Sequence, residues 1–590
     1  MSAIPLADRP ALVRAALSQQ GVDGFILPRG DEFLSEYVAP YAERLAWLTG
    51  FTGSAGLAIL LSNKAALFSD GRYTSQMEDQ ADHTIWERRH ITKEPPAAWL
   101  KENAKGLRIG YDPRLISEAA LQGFQNSGVK LVPLQKNPID AVWRDQPQPP
   151  ASTVRFQRDA LSGETSASKR ARIAHALREA GEQALVVGDP TSLAWLLNIR
   201  GDDVPHTPVV LSFGVLHDDG SAELFVDEAR ISPEAKESFG DDVKILPIGA
   251  LPARLKALAG KTVRLDPIGT SFWFVQTLDD AGAIVSRESD PCVLPKACKN
   301  QVEQEGARRV HLTDSVALCR FLYFVSQHGV GMRETDLAVK LDQIRAEASD
   351  YHGESFPAIS AVGPNAALPH YRALPGQDRV LERNQIYLID SGGQYDAGTT
   401  DVTRTVWSGP AEPPHEIRSA FTRVLKGNIL LARARFPEGT TGHRLDALAR
   451  YALWQVGLDY DHGTGHGIGS YLSVHEGPQN ISSVPRPTTL QPGMIVSDEP
   501  GYYEVGHYGI RLENLLLVRP APIGGRGPFL EFDVLGFAPF DRKLIDVALL
   551  LPDELAWLDD YHAQTLAKIG PALDDETRAW LAEACAPLTP

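Results

Sequence analysis

Two stretches within the first 310 residues carry the same order of apolar and polar positions. PALVRAALSQQGVDGFILP followed by LAWLTG at 45–50 is echoed by KRARIAHALREAGEQALVVGD followed by LAWLLN at 193–198, and LFSD at 67–70 parallels LFVD at 224–227. In each copy a helical period gives way to a short continuous apolar run, the pattern of an amphipathic helix leading into a buried strand. The chain is therefore expected to open with two related α/β units, each a mixed sheet, with Pro10 at the first helix start and Asp8 as its cap. The Gln146–Pro150 stretch, QPQPP, can continue neither helix nor strand and marks the linker between them.

Beyond Pro291 and Pro295 the period is helical from about 301 to 325, with Leu312, Val316, Cys319 and Tyr323 on one stripe. Thr335 is expected to cap a second helix whose Leu337, Leu341 and Ile344 face inward. Two segments then read as long hairpins, IYLIDSGGQYDAGTTDVTRTV and MIVSDEPGYYEVGHYGIRLENLLLV, in which β-branched and aromatic residues flank a Gly-rich or Pro-Gly turn. Such a repeated hairpin implies an α+β core with pseudo-twofold symmetry. The tail, DELAWLDDYHAQTLAKIG and DDETRAWLAEACAPL, reads as two helices that cover this domain or a partner. A chain of 590 residues exceeds what one core serves. The expected division is 1–148, 149–300 and 301–590.

The hairpins carry the chemistry. Asp390 closes one strand and Asp401 opens its return; Glu499 and Glu513 repeat the plan, and between the two hairpins lies the Gly-rich loop HGTGHGIGS with His462 and His466. An Asp or Glu beside such a turn is ordinarily a solvated cap. Four carboxylates brought together would repel one another strongly, and two divalent cations cancel that charge. An oxygen-rich set with one nitrogen suits Mn²⁺ or Mg²⁺, with Zn²⁺ and Co²⁺ also admitted, and Mn²⁺ is the first choice. Two such ions about 3.5–4 Å apart acidify a shared water and polarise a carbonyl, so the expected reaction is hydrolysis. Arg511 shares a strand face with Glu513 and is placed to anchor a carboxylate or hold substrate; Thr403 shares one with Asp401 and is expected to orient it.

Four strings, SFPAISAVGPNAALPHY at 355–371, DSGGQYDAGTTDVTRT at 390–405, HGTGHGIGSYLSVHEGP at 462–478 and SDEPGYYEVGHYGIRLEN at 497–514, resemble the pita-bread metallopeptidases of family M24. Over nearly its whole length the chain is similar to the three-domain, cytosolic aminopeptidase P family. That resemblance implies two creatinase-like N-terminal α/β domains before a C-terminal pita-bread domain. It also implies Asp390, Asp401, His466, Glu499 and Glu513 as ligands of two metal ions, with Asp401 and Glu513 bridging. His370, His462 and His475 fall where the family keeps catalytic or substrate-binding imidazoles, and Glu499 is the implied proton shuttle. The substrate implied is a peptide with proline second, whose tertiary amide other peptidases handle poorly, and the implied assembly is a homodimer. A prolidase restricted to dipeptides, a creatinase-like hydrolase without metal and a noncatalytic peptide-binding protein are the alternatives, the last two disfavoured by the intact ligand set.

Charge and composition remove other classes. With 58 basic against 75 acidic residues the net charge is −17, unsuited to nucleic acid or an anionic membrane. No phosphate-loop lysine and no G-x-S-x-G elbow appears. Cys292, Cys298, Cys319 and Cys585 are scattered, which fits buried thiols in a reducing cytosol. MSAIPLADRPALVRAAL lacks a basic start before a long apolar run, and no stretch approaches a membrane span, so a cytoplasmic protein is expected.

Overall fold

The computed structural model describes residues 4–525 and 527–588, so the first three residues of the N-terminal segment lie outside it. It divides into two compact units, one comprising the chain up to 159 together with 164–293, the other 160–163 with 294 onward.

The first unit holds two six-stranded mixed sheets of one topology. In the first, the strands order as Glu87–His90, Ala65–Ser69, Leu57–Leu61, Gly24–Pro28, Arg108–Tyr111 and Lys130–Pro133. The second runs Val243–Leu246, Ala222–Phe225, Phe213–His217, Ala184–Val187, Thr262–Arg264 and Ile284–Ser286. In both, the first strand in sequence is antiparallel to the second and parallel to a later one. The echoed sequences occupy equivalent places: helices Arg9–Gln19 and Ser166–Glu179 precede the first strands, and LAW opens out of helices Arg44–Thr49 and Pro190–Leu197. Strands Leu57–Leu61 and Ala65–Ser69 are buried along their whole length, as continuous apolar runs require when both faces are covered. One detail departs from expectation. Asp8 occupies the position before the helix but has helical dihedrals and makes no side-chain cap, because it already ends the short 3₁₀ turn Leu6–Asp8.

The second unit is built from two halves of like construction. Helices Gln301–His328 and Glu334–Arg345 precede a three-stranded sheet, Ile359–Val362, Ile386–Ser391 and Val402–Trp407. Helices His415–Ala432 and His443–Trp454 precede a six-stranded sheet with Ile495–Asp498 and Asn514–Pro520 adjacent near its middle. Apolar residues of both helix pairs and of the three-stranded sheet form one core that also takes in Leu558, Tyr561, Ile569 and Leu581 from the terminal helices Pro552–Ile569 and Asp575–Ala584, while Val496, Leu516, Val518 and Phe532 of the six-stranded sheet pack in a second cluster with Leu431, Leu445 and Ala449. The tail therefore packs on its own domain.

Two helix expectations change. The long helix buries Val310, Leu318, Phe321, Leu322 and Val325, whereas Leu312 is exposed and Val316 and Tyr323 only half-buried; of the expected stripe Cys319 alone is fully inside. Thr335 lies inside the second helix rather than capping it. Its amide and hydroxyl donate to Asp378, a carboxylate 43 residues away that satisfies the helix start from outside. All four cysteines are free; Cys292, Cys319 and Cys585 are buried and Cys298 is half-buried. Among the described residues no helix is long and apolar enough to cross a membrane.

Candidate metal centre

The two hairpins form, each with a smaller ribbon inserted at its tip. Ile386–Ser391 pairs with Val402–Trp407, setting Asp390 opposite Thr403, and Asp401 stands one residue ahead of the return strand. Ile495–Asp498 pairs with Asn514–Pro520, so that Glu499 and Glu513 each stand one residue outside the paired segment. Three of the carboxylates thus sit where the chain leaves one sheet for another, and backbone constraint there is set by both. His466 belongs to a strand, Gly465–Gly467, rather than to an open loop. The halves are joined at this level: the Glu513 amide donates to the Thr403 carbonyl, and the Arg404 guanidinium donates to the Glu513 carbonyl at 2.6 Å.

Asp401, His466 and Glu513 each present a ligand atom within 4.8 Å of the others. His466 Nε2 lies 3.4 Å from both Asp401 Oδ2 and Glu499 Oε1, while its Nδ1 is 3.0 Å from the Gly467 carbonyl, a contact that orients the ring and leaves Nε2 toward the carboxylates. Ser497 ties the same residues together, accepting from the His466 amide and donating to Glu499. Thr403 Oγ1 donates to Glu513 Oε2 at 2.7 Å; the expectation that it orients Asp401 is corrected, since the register turns its hydroxyl toward the other hairpin.

Electrostatically the cluster is under strain as it stands. Burial raises the pKa of Asp390, with Asp401 adding to it and Arg511 opposing. Burial likewise pushes Glu499 up to about 6, partly offset by His466 and Arg511, and holds Glu513 well above the usual carboxylate range, with Asp401, Glu499 and Asp390 reinforcing the effect. Burial alone would lower His466, but its hydrogen bond to Asp401 and the charge of Glu499 raise it to about 9. Asp390 Oδ1 and Asp401 Oδ1 are buried with no hydrogen-bond partner. Buried carboxylate oxygens are ordinarily satisfied, and an all-oxygen set completed by one imidazole is a fit for hard divalent cations.

Arg511 is buried rather than exposed. Its guanidinium donates to Asp390 Oδ2 at 2.6 Å, to the Tyr503 hydroxyl at 2.8 Å and to Thr403 Oγ1 at 3.3 Å, so of its two expected roles the geometry supports anchoring a carboxylate. Tyr503 in turn bonds His462 Nε2 at 2.9 Å, making a relay from His462 through Tyr503 and Arg511 to Asp390. Sequence reasoning passed over Tyr503. The signal lay in the hairpin, where Gly501 pairs with Arg511; a Cβ on Gly501 would lie 2.6 Å from the tyrosine hydroxyl, so glycine there makes its room.

His475 meets His466 edge to face, with ring centroids 4.4 Å apart. His370 stands on a separate segment after the 3₁₀ turn Gly363–Ala367, and that segment is organised by another residue missed in the sequence, Glu334. Fully buried, Glu334 accepts from the Val362 amide, the Asn365 side chain, the Tyr371 hydroxyl and the Arg379 amide, bonds that bracket His370 on both sides. A third buttress backs the loop before His466: Arg450 pairs with Asp446 and donates to the Tyr460 and His462 carbonyls, and Thr464 donates to Asp446.

Residues 305–520 match the metallopeptidase family M24, and 528–588 match the C-terminal region of that family. Residues 9–142 and 145–303 match two creatinase/prolidase N-terminal domain families. Fold and sequence together therefore define a metallopeptidase with tandem creatinase-type domains.

The probable Xaa-Pro aminopeptidase P of Aspergillus fumigatus is 38% identical over 617 aligned positions, covering 100% of this chain and 94% of that protein. That of Laccaria bicolor is 38% identical and covers 98% and 93%. The crystal structure of X-prolyl aminopeptidase from Caenorhabditis elegans, described as a cytosolic enzyme with a di-nuclear active site, superposes with a TM-score of 0.93 at 34% identity over 99% of this chain and 100% of that one. A prolidase from Thermococcus sibiricus, with a TM-score of 0.53 at 21% identity over 64% of this chain and 98% of its own, shares the fold alone. The chain belongs to the Xaa-Pro aminopeptidase P family of M24 metallopeptidases.

Proposed function

We propose that this enzyme removes the N-terminal residue from peptides whose second residue is proline, using two divalent cations held by Asp390, Asp401, His466, Glu499 and Glu513. The reading rests on full-length similarity to Xaa-Pro aminopeptidases P and on the di-nuclear site described for the Caenorhabditis elegans enzyme. The observation that carries it here is the gathering of Asp401, Glu513 and half-buried Glu499 about His466, with buried oxygens of Asp401 and Asp390 left unpartnered. Asp401 and Glu513, whose ligand atoms cluster with that of His466, would hold the cations together with it.

Bound there, two cations supply the charge that acidifies a water and polarises the scissile carbonyl. The chain's own groups do the rest. Glu499, a ligand carboxylate whose burial strengthens its hold on a proton, accepts a proton and returns it to the leaving nitrogen. His475, edge-on to His466, and His370, on the segment that Glu334 braces, donate hydrogen bonds to substrate carbonyl oxygens as charge develops. His462 is tied through Tyr503 to Arg511, which holds Asp390 in its ligating orientation. Manganese is assigned as the native metal on the oxygen-rich donor set.

A homodimer, a cytoplasmic setting and domain limits at 148/149 and 300/301 complete the proposal. The free cysteines and the cytosolic description of the Caenorhabditis elegans enzyme support the setting. The test is hydrolysis of Xaa-Pro-Xaa, Xaa-Pro and Xaa-Ala-Xaa peptides by the Mn²⁺-loaded protein. Cleavage of the first alone supports the proposal; preference for the dipeptide would move the assignment to a prolidase, and inactivity on all three to a binding protein.

A further inference from the structure

Lys296 and Lys299 are two of the most deeply buried lysines in the chain, with 5% and 1% of their side chains exposed. Both ammonium groups converge on one carboxylate, itself 1% exposed: Lys299 Nζ lies 2.5 Å from Glu476 Oε1 and Lys296 Nζ 3.3 Å from Glu476 Oε2. Lys299 Nζ also donates to the Lys296 carbonyl at 2.8 Å, and the Lys299 amide to the Gly493 carbonyl. Burying three charges costs several kcal/mol unless geometry repays it. Such a cluster is an expensive way to hold the strand at the edge of its sheet.

What it holds lies beside the metal centre. Glu476 follows His475 directly and pairs with Gly467, the neighbour of His466, and a Cβ on Gly467 would overlap the Glu476 carbonyl oxygen. The backbone that carries Glu476 is thus pressed against the backbone that carries His466. We propose that Lys296 and Lys299 are positioning residues: through Glu476 they clamp the strand that begins just after His475 against the His466 strand and set the edge-to-face contact of the two imidazoles. The clamp acts on the site proposed above and so rests on that reading.

The test compares wild type, Lys299→Met, Lys296→Met and the triple variant Lys296→Met/Lys299→Met/Glu476→Leu, each with and without His475→Ala. Measured are kcat and KM on an Xaa-Pro-Xaa tripeptide, Tm, and Mn²⁺ affinity by calorimetry on metal-stripped protein. Outer partners of ligands are worth about 10–100-fold in activity or metal affinity. Lys299→Met should lower kcat by that range with KM changed less than about threefold, and His475→Ala should cost far less in that background than in wild type, since coupled residues are not additive. If Lys299→Met fails to fold, the triple variant decides, because apolar replacement of a buried ion cluster is often neutral to stability. A folded variant with wild-type kcat, or strictly additive losses, overturns the clamp. An active wild type with unaffected variants sinks the clamp alone. An inactive wild type sinks the functional reading, and the clamp is then judged on Mn²⁺ affinity: tenfold weaker binding in Lys299→Met supports it and unchanged binding overturns it.

Discussion

Replacing Arg511 by methionine removes a charge from the centre while nearly conserving volume. Three side-chain hydrogen bonds are lost, one to a carboxylate at 2.6 Å and two to hydroxyls at 2.8 and 3.3 Å. Breaking a buried ion pair from one side costs about 3–5 kcal/mol, because the remaining charge is stranded. In the metal-free protein that charge has an escape. Asp390 is already raised by burial and Arg511 opposes the rise, so the variant raises it further. A carboxyl whose folded pKa exceeds its unfolded value binds its proton more readily in the native state, so it gains native stability as pH falls through the folded value. The deficit of Arg511→Met should therefore be largest near pH 8, about 3–5 kcal/mol, and shrink toward pH 5. Adding Mn²⁺ should recover part of it, since cations compensate the stranded carboxylate. Urea denaturation of metal-free and Mn²⁺-loaded variant at pH 5, 6.5 and 8 reads all three effects. A deficit below about 0.5 kcal/mol at pH 8, or one that grows as pH falls, would refute the argument.

Three more expectations follow from the same centre. The metal-free wild type should lose stability as pH rises: Glu499, raised to about 6, contributes most below its unfolded value of 4.5, and His466, raised to about 9, contributes below 6.5 and loses that contribution as pH climbs through 9. Below pH 6.5 the buried His562, lowered to about 3, works the other way, so thermal melts of stripped protein should fall monotonically from pH 6.5 to 9.5, and a maximum near pH 8 would contradict the assigned directions. Tyr503→Phe cuts the relay between His462 and Arg511 and should lower kcat/KM about tenfold with Mn²⁺ stoichiometry unchanged, as read by steady-state kinetics and metal analysis. Glu334→Gln keeps shape but loses the charge that gathers four donors around His370; hydrogen exchange should show segment 362–379 loosened and KM should rise, whereas wild-type protection there would count against the hub.

How far the sequence carried this picture depended on the range of the interaction. The places of Asp390, Asp401, Glu499 and Glu513 were legible because local turns define them, and the paired N-terminal sheets because their apolar order repeats. Partners far apart in sequence were not. Asp378 caps a helix from 43 residues away, Arg511 reaches Asp390 across 121, and Lys299 reaches Glu476 across 177. Thr403 was assigned to Asp401 by strand alternation, which says which face a hydroxyl is on but not which hairpin lies across from it. The stripe on Gln301–His328 was misplaced for a related reason. Its buried face also includes small and polar residues, Gly306, His311, Asp314 and Ser315, which apolar periodicity cannot register.

The central claim is that one chain binds two metal ions and uses both. Metal-stripped protein titrated with Mn²⁺, with bound metal counted and Xaa-Pro-Xaa hydrolysis followed in the same samples, tests it directly. The account predicts saturation at two ions per chain with activity that rises with them. Full activity with no bound metal, or saturation at two ions without hydrolysis, would contradict it.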